Sequence, residues 1–442
     1  MGMMLTEPRR RLTDGGMLSD RAANGKRVWI VKQYAVTPDL PGNTRHFELG
    51  RRLAERGYDI TILASGFHYS QHRDIGLGTG ESIRVERVDG VRFVWIRCFP
   101  FQRNDWRRVV HMLDFMWRAY WVGRRLPRRT GGTSAADVVL GCSVPPFAAL
   151  AGYWLSRRFR SRFLLEVGDL WPQTLIDMGA LSRRNPIARL LHRLEVFLYR
   201  RAERIITPLP NAAGYIARQG VEEDRVVWIP NGVDVKAFST VEPAVSSEFV
   251  VMYAGVHGHA QSLETIVEAA GIVQRRGISA VKFVLVGDGP EKPRLRELSK
   301  RNGIENVEFR DSVPRNQIPE VLGAARAVIF SLRDTPTFRE YGVGSKKLFD
   351  YLATGVPVIF AVRAANDPVS EAGCGVTVAP DDATSLAEAV VQLYGLTEEE
   401  RRAMGERARK YAEAHHDWSI LAERFEVLIN GDTKTIERGD ER

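Results

Sequence analysis

The sequence lacks the long apolar runs that membrane-spanning helices need. No run of about eighteen apolar residues occurs in its 442 residues, so we expect no simple transmembrane helix. The N-terminal region has neither an apolar core nor a cleavage site, which argues against a secretory signal. The stretch Met1–Thr6 matches a myristoylation pattern, but so short a match often arises by chance.

Cysteine is also scarce. The three cysteines, Cys98, Cys142 and Cys374, lie far apart in the sequence and are odd in number. This spacing argues against a disulfide framework or a zinc site and indicates free thiols in a reducing cytosol. We therefore expect a cytoplasmic protein.

Acidic residues are fewer than basic ones. The chain has 63 lysines and arginines against 54 aspartates and glutamates, and the basic excess lies in the first 240 residues. A basic half indicates an anionic partner, which could be a membrane surface, a lipid phosphate or a nucleic acid. Because the sequence contains no recognisable nucleic-acid-binding motif and no basic–aromatic repeat, we expect no nucleic-acid partner.

Strand and helix patterns alternate along both halves of the chain. Short apolar runs of strand length alternate with stretches of helical periodicity, which predicts an α/β protein. The expected architecture is two doubly wound, Rossmann-like domains facing a central cleft. The predicted segments are a disordered extension at 1–25, a first domain at 26–234, a linker at 235–247, a second domain at 248–416, a C-terminal helix at 417–430 and a disordered tail at 431–442.

One stretch, Phe330–Val362, combines the features of an anion-binding site. Its opening apolar run predicts a buried strand, and Gly342 and Gly344 lie in the polar loop that follows. Ser345 occupies the position of a helix N-cap, and Gly355 ends that helix. A strand, a glycine loop and a helix N-terminus together present unpaired N–H groups and the positive end of the helix dipole to the loop.

Charged residues in this helix sharpen the prediction. Lys346 and Lys347 lie in the first turn, where the helix dipole disfavours cations by a few tenths to about 1 kcal/mol each. A diphosphate in the loop would account for their placement, and Asp350, on the same helix face, could accept hydrogen bonds from ribose hydroxyls. The alternative is a solvated first turn whose lysines simply pair with Asp350.

Two further loops of the second half follow predicted strands. Gly255 begins a glycine loop, and Gly287, Asp288 and Gly289 form a turn. That turn could present its backbone to a phosphate, but it could also be only a tight turn.

The first half also places loops at the carboxyl ends of strands, where doubly wound sheets bind ligands. Gly42 and Asn43 lie in the loop after the first strand, which lacks the GxGxxG pattern of a dinucleotide site. Asp169 and Trp171 follow a later strand. Asp169 is a candidate site carboxylate, with an N-cap of the next helix as its alternative role.

A basic aromatic helix is predicted over Asn104–Arg129. Residues that recur at helical spacing form an apolar stripe: Trp106, Val109, Val110, Leu113, Met116, Trp117, Tyr120 and Trp121. Arginines, including Arg118, Arg124 and Arg125, flank this stripe. Such a helix could lie in an anionic bilayer interface, or it could pack on the core of its own domain with solvated arginines.

Six segments occur in an order that resembles the family 4 glycosyltransferases of the GT-B fold, in the branch that builds bacterial O-antigen, capsule and exopolysaccharide. They are LLEVGDLWPQ, VVWIPNGVD, MYAGVHGHAQSLETIVEAA, LVGDGPEK, GSKKLFDYLATGVPVI and EAGCGV, and the resemblance covers residues 26–430. It implies a retaining hexosyl or N-acetylhexosaminyl transfer from a nucleotide sugar, commonly a UDP-sugar, with no metal or other cofactor. It also implies a lipid-linked acceptor on the first domain, a donor on the second, and a final helix that packs back onto the first.

The resemblance assigns roles to residues of the donor helix. Lys347 and Asp350 match the lysine and the acidic residue of the family's pattern, so phosphate and ribose roles carry over, although Asp350 replaces the commoner glutamate. The donor site then includes the surrounding Gly344, Ser345, Lys346 and Leu348. Asp169 matches the DLWP motif of this branch and, with Lys347, is the predicted catalytic residue.

Three positions depart from the family's pattern. Gly168 stands where many members have a histidine, Val256 where a basic residue is usual, and Gly342 where the first glutamate falls. These departures suggest one alternative, a non-catalytic module that binds a nucleotide sugar. A nucleotide-sugar epimerase on the same fold is the other. The principal expectation is a glycosyltransferase attached peripherally to the inner face of the plasma membrane.

Overall fold

The computed structural model describes residues 25–69, 71–103, 105–129, 135–238 and 248–432. Nearly all of the predicted N-terminal extension, most of the predicted linker and most of the predicted tail lie outside these ranges. The chain divides into two compact units. Unit one holds residues up to Ala35 and Leu53–Phe163, and unit two holds Val36–Arg52 and the residues from Leu164 onward. The predicted domain boundaries at 234 and 248 stay predictions.

The elements of the first part of the chain are β1 (Arg27–Val31), α1 (Arg45–Glu55), β2 (Asp59–Ser65), β3 (Phe67–His68), β4 (Arg73–Asp74), β5 (Ile83–Val88), β6 (Val91–Ile96), α2 (Trp106–Arg129), β7 (Val138–Ser143) and α3 (Pro146–Phe159). Within unit one, neighbouring strands follow the order β5-β6-β2-β1-β7. These strands are parallel except for β5, which runs antiparallel to β6. Strands β3 and β4 form a separate antiparallel pair.

The remaining strands are β8 (Arg162–Val167), β9 (Arg204–Thr207), β10 (Val226–Trp228), β11 (Phe249–Ala254), β12 (Val281–Val286), β13 (Val307–Arg310), β14 (Ala327–Ser331), β15 (Val358–Ala361) and β16 (Gly375–Val378). The remaining helices are α4 (Gln173–Asp177), α5 (Pro186–Arg201), α6 (Ala212–Ala217), α7 (Leu263–Arg275), α8 (Lys292–Arg301), α9 (Ile318–Gly323), α10 (Pro336–Tyr341), α11 (Lys346–Ala353), α12 (Pro368–Ala372), α13 (Ala383–Gly395), α14 (Glu398–His416) and α15 (Trp418–Asn430). Within unit two, β8, β9 and β10 lie side by side and parallel. A second, fully parallel sheet has the order β13-β12-β11-β14-β15-β16.

The predicted α/β class with two mainly parallel sheets is confirmed. The helix predicted over Asn104–Arg129 appears as α2, and the helix predicted after Ser345 appears as α11. Strand β5 was missed, because Ile83, Val85 and Val88 alternate with charged residues and the strand stays partly exposed at the edge of the sheet. Such an edge strand lacks the continuous apolar run that marks a buried parallel strand.

Helix α11, the predicted donor helix, is fixed by one core of unit two. Leu348, Phe349, Tyr351 and Leu352 are buried in this core. Burial of large apolar side chains contributes roughly 1.5–3 kcal/mol each. The hydroxyl of Tyr351 accepts a hydrogen bond from the N–H of Ala254 (2.7 Å) and donates one to its carbonyl (3.0 Å). Helix α11 is therefore held beside the end of β11.

Candidate active site

The glycine loop before α11 is shaped by close packing as well as by backbone freedom. Gly342 ends α10 with a φ of 83°, a conformation that favours glycine. Gly344 is required for space, because a Cβ there would lie 2.6 Å from the carbonyl oxygen of Pro208. Ser345 occupies the N-cap position, as predicted, but its side chain makes no capping hydrogen bond. The first-turn N–H groups of α11 are therefore not satisfied by this side chain.

Lys347 lies against an aromatic wall. Its Nζ donates to the hydroxyl of Tyr253 at 2.7 Å and lies 4.3 Å from the centroid of that ring. A Cβ on Gly255 would come within 2.8 Å of the same Nζ, so the glycine leaves room for the lysine. Desolvation lowers the pKa of Lys347 to about 7, and the nearby Asp350 carboxylate only partly opposes this shift. The ammonium group would be stabilised by an arriving anion.

Lys346 points to a different set of groups. Its Nζ donates to the hydroxyl of Thr44 and lies 5.5 Å from the ring centroid of Trp418. Burial, aided by the neighbouring charge of Arg315, lowers the pKa of Lys346 to about 7. Both lysines at the start of α11 are therefore partly buried. Because water is partly excluded there, their charged forms are weakly stabilised.

The carboxylate of Asp350 is occupied by arginine. Arg315 donates to both of its oxygens, with a distance of 2.5 Å from Nη1 to Oδ2. The alternative in which Lys346 and Lys347 pair with Asp350 is therefore wrong, since each of the three charges has another partner. A carboxylate has about four lone-pair sites, so a bidentate arginine leaves two for other donors. The ribose role of Asp350 stays a prediction.

Two glycine turns lie backbone to backbone next to Lys347. The N–H of His257 donates to the carbonyl of Asp288 at 2.8 Å. A Cβ on Gly287 would lie 1.8 Å from the carbonyl oxygen of Gly255, and one on Gly289 would lie 2.4 Å from that of His257. The turn at Gly287–Gly289 thus packs on the Gly255 loop, while the side chain of Asp288 is exposed.

His257 was not singled out by the sequence analysis, and its side chain is fully buried. Among the described residues neither ring nitrogen of His257 has a hydrogen-bond partner. Burial lowers the pKa of His257 to about 4, and the charge of Lys292 adds to this effect. The ring is therefore neutral at physiological pH.

Asp169 is held by the turn that follows β8. Its Oδ1 accepts from the N–H of Leu170 (2.9 Å) and the hydroxyl of Thr174 (2.6 Å). The N-cap alternative is wrong, because Pro172 occupies the N-cap position of α4. Burial raises the pKa of Asp169 above its ordinary value, and the two hydrogen bonds partly oppose this shift. Trp171, two residues further on, is half-buried.

The loop before α1 places the other predicted acceptor residues. Gly42 has a φ of 140°, and a Cβ there would lie 3.1 Å from the side chain of Val36. The side chain of Asn43 accepts from the N–H of Arg45 at 2.9 Å, so it satisfies a donor at the start of α1. Both residues are exposed, and their contact with an acceptor stays a prediction.

A buried charge cluster next to this loop was not predicted. Glu166 accepts from Nε of Arg45 at 2.9 Å and pairs with Nε2 of His46 at 2.9 Å, and all three side chains are buried. Arg45 also donates to the carbonyls of Ile229 (2.9 Å) and Pro230 (2.5 Å). No sequence signal marked the cluster, because its members come from three distant segments.

Helix α2 of unit one divides its apolar residues between two faces. Met112, Phe115, Met116, Ala119 and Leu126 are buried in the core of that unit. Residues of the other face are exposed: Trp106, Val109, Leu113, Trp117 and Trp121. The predicted single stripe is thus wrong in at least two members, since Met116 belongs to the core and Tyr120 is partly buried against it. Among the described residues, no helix is both long and apolar enough to span a bilayer.

Arginines surround the exposed aromatic rings of α2. The guanidinium carbons of Arg124 and Arg125 lie 4.5 and 5.5 Å from the ring centroid of Trp121. Arg118 pairs with Asp114 at 2.6 Å, and its side chain is half exposed. The exposed face of α2 therefore combines aromatic rings with cations.

Comparisons with known proteins give matches over most of the chain. The family model described as "Glycosyl transferase 4-like domain" matches residues 42–232, and the model "Glycosyl transferases group 1" matches residues 248–395. The chain is 23% identical to a putative colanic acid biosynthesis glycosyl transferase, WcaI, of Escherichia coli K12, over 89% of this chain and 98% of the relative.

Solved structures share the fold. A sucrose-phosphate synthase from Thermosynechococcus elongatus superposes with a TM-score of 0.71 at 17% identity, covering 93% of this chain and all of that one. Anabaena Alr3699/HepE in complex with UDP-glucose superposes with a TM-score of 0.62 at 14% identity, covering 92% of this chain and all of that one.

Proposed function

Because this chain belongs to the group 4-like glycosyltransferases of the GT-B fold, we propose that it transfers a sugar from a UDP-sugar to a lipid-linked acceptor. The single observation that carries the donor assignment is the placement of two ammonium groups, Lys346 and Lys347, in the first turn of α11, where each is bound by a neutral hydroxyl group. UDP-glucose bound to the similar HepE structure supports this donor class. Similarity to WcaI supports a role in bacterial surface polysaccharide synthesis.

The proposed chemistry follows from the leaving group. When the bond from the sugar to the nucleoside diphosphate breaks, negative charge grows on phosphate oxygens. Preorganised N–H groups and ammonium groups stabilise such charge without reorganising during the reaction. Lys346 and Lys347 are the first two residues of α11, so we propose that they supply this stabilisation. We also propose that the transfer needs no metal ion or other cofactor.

Asp169 is the proposed partner of the sugar or acceptor. As the glycosidic bond breaks, the sugar carbon becomes oxocarbenium-like, and a nearby carboxylate can stabilise that charge or orient the attacking hydroxyl. One oxygen of Asp169 is used by Leu170 and Thr174. The other oxygen has no hydrogen-bond partner among the residues that the structure describes. We propose a transfer with retained anomeric configuration.

A donor panel tests the proposed function. The purified protein is incubated with radiolabelled nucleotide sugars, with and without a bacterial lipid extract, and the lipid and aqueous phases are analysed separately. Lipid-linked label from a UDP-sugar supports the proposal. A soluble epimer would identify an epimerase, and saturable binding of a UDP-sugar without turnover would identify a binding module; either result would refute it.

The lysine pKa values predict a proton uptake. Since Lys346 and Lys347 have pKa values of about 7 in the free protein, part of each population is neutral above pH 7. A bound diphosphate raises both values, so UDP-glucose should bind with uptake of up to about two protons at pH 8.5 and almost none at pH 5.5. Its affinity should accordingly fall as the pH rises above 7.

Calorimetry in buffers of different ionisation enthalpy measures this uptake. UDP-glucose is preferred to UDP because its diphosphate does not titrate in this range. Lys347→Met removes one of the two titrating groups. The number of protons taken up at pH 8.5 should therefore fall by the number that Lys347 contributes in the wild type. An observed binding enthalpy that does not depend on the buffer at pH 8.5 would contradict the proposed lysine–diphosphate contact.

We also propose that the exposed face of α2 contacts an anionic membrane at its inner surface. Indole rings such as those of Trp117 and Trp121 partition to headgroup depth, and each nearby cation contributes about 1 kcal/mol at an anionic surface. The exposure of these rings, beside Arg124 and Arg125, supports the proposal. A lipid-linked acceptor would be met at the same surface.

Replacing Trp117 and Trp121 with serine should reduce binding to vesicles of anionic lipid at least about tenfold, because both rings lose apolar contact. Flotation with vesicles at increasing salt measures this, and wild-type binding should weaken as salt rises. Tyr394→Ser, which removes an exposed ring in unit two, is the control. Equal binding of wild type to neutral and anionic vesicles, or unfolding of the double variant, would count against a membrane face.

A further inference from the structure

Two backbone N–H groups lie just before α11. Among the described residues, the N–H groups of Gly344 and Ser345 have no hydrogen-bond partner. They lie directly before Lys346 and Lys347, at the positive end of the helix. A glycine-containing loop has many accessible conformations, so something must fix the direction in which these two groups point.

One side of the loop is held by Asn366. Its Oδ1 accepts from the N–H of Val343 at 2.7 Å, and its Nδ2 donates to the carbonyl of Val343 at 3.1 Å. A Cβ on Gly342 would lie 2.6 Å from this Oδ1, so the glycine is needed for the amide to approach. Because a peptide unit is planar and trans, fixing the carbonyl of Val343 also aims the N–H of Gly344 in the opposite direction.

The other side of the loop is held by Asn231. Its Nδ2 donates to the carbonyl of Gly344 at 2.5 Å, which by the same geometry aims the N–H of Ser345. Asn231 is itself almost fully buried. Its backbone carbonyl lies 3.2 Å from Nδ1 of His416, and Arg45, anchored by Glu166, holds the two carbonyls before it.

We propose that Asn231 and Asn366 are positioning residues that clamp the Val343–Gly344 backbone and aim two N–H groups at the donor diphosphate. The inference rests on the proposed donor site. Neither asparagine would touch the donor, since each acts through the carbonyl that it binds. Donors fixed before the reaction stabilise developing charge better than donors that must first be ordered.

Aspartate substitutions test the clamp with little change in shape. Asn231→Asp retains an oxygen but loses the donor to Gly344, and Asn366→Asp keeps its bond from the N–H of Val343 while losing the donor to the carbonyl. Each variant also places a carboxylate against a carbonyl oxygen. We expect each to lower UDP affinity about tenfold, as loss of one aimed hydrogen bond implies, and to lower kcat by at least as much.

Asn306→Asp is the matched control. The amide of Asn306 donates to the carbonyl of Ala270 at 3.0 Å, within unit two but away from the loop. This variant loses the same kind of bond, so it should show a similar drop in Tm with UDP affinity and kcat within about twofold of wild type. A merely structural role for Asn231 and Asn366 would make all three variants alike.

Two readouts separate failure of the clamp from failure of the proposed function. Calorimetry with UDP reports on the loop whether or not sugar is transferred, and kcat with the active donor reports on turnover. If UDP binds all variants as it binds wild type, the clamp is refuted even when transfer is observed. If Asn231→Asp does not fold, the test rests on comparing Asn366→Asp with Asn306→Asp, because Asn366 is partly exposed.

Discussion

Lys347→Ala should lower kcat/KM by about 100- to 1,000-fold, the range found when one preorganised donor to a developing anion is removed. The ammonium group of Lys347 lies against Tyr253 and beside Gly255. It meets negative charge that grows as the diphosphate leaves, so kcat should fall together with UDP affinity. Initial rates with the active donor, and calorimetry with UDP, measure the two effects.

The control for this variant is Lys410→Ala, which removes an exposed lysine in α14. It should leave both quantities within about twofold of wild type. Lys347→Met tests whether the charge or the packing of the side chain matters, because methionine keeps most of the apolar stem. Unchanged UDP affinity in both Lys347 variants would show that the diphosphate does not bind at this helix.

Asp169→Asn should abolish sugar transfer, with a loss of at least about 100-fold, while UDP affinity stays near that of wild type. Asparagine can still accept the hydrogen bonds from Leu170 and Thr174 through its oxygen, so the turn after β8 should keep its shape. What the variant loses is the negative charge, which the proposed oxocarbenium-like centre requires. Transfer assays at saturating donor, with Tm measured in parallel, test this expectation.

Thr174→Val separates catalysis from stability at the same place. It removes the hydroxyl that donates to Asp169 but leaves the carboxylate. It should therefore lower Tm modestly and retain most of the turnover per folded molecule. If Asp169→Asn instead loses stability and keeps normal turnover, the carboxylate serves only the turn, and the reacting centre must be assisted by another group.

Much of the fold and part of the candidate site could be read from the sequence because they depend on near neighbours. Apolar runs alternating with helical periods predicted two parallel sheets, and the structure contains them. The position of Ser345 marked the start of α11 to the residue. Gly342 lies in the predicted loop, and its φ of 83° is in the region that favours glycine. Dihedral preferences and helix periodicity act within a few residues, so a linear pattern reveals them.

The partners of the charged groups were decided only by the tertiary structure. Asp350 pairs with Arg315, 35 residues away, Lys347 with Tyr253, 94 residues away, and Lys346 with Thr44, 302 residues away. Locally, the lysines and Asp350 looked like natural partners. No local feature of the sequence distinguishes Arg315 from the many other arginines, because its role arises from how the chain folds back.

The same limit applies to α2 and to the asparagine clamp. Periodicity placed Met116 and Trp117 on one stripe, yet packing buries the first and exposes the second. Neighbouring positions on a helix differ by about 100° in direction, so only the surrounding core fixes which side is covered. Asn231 lies in the VVWIPNGVD segment, but the sequence assigned no role to it or to Asn366. Their common role exists only because the folded chain brings both amides to the loop between Gly342 and Gly344.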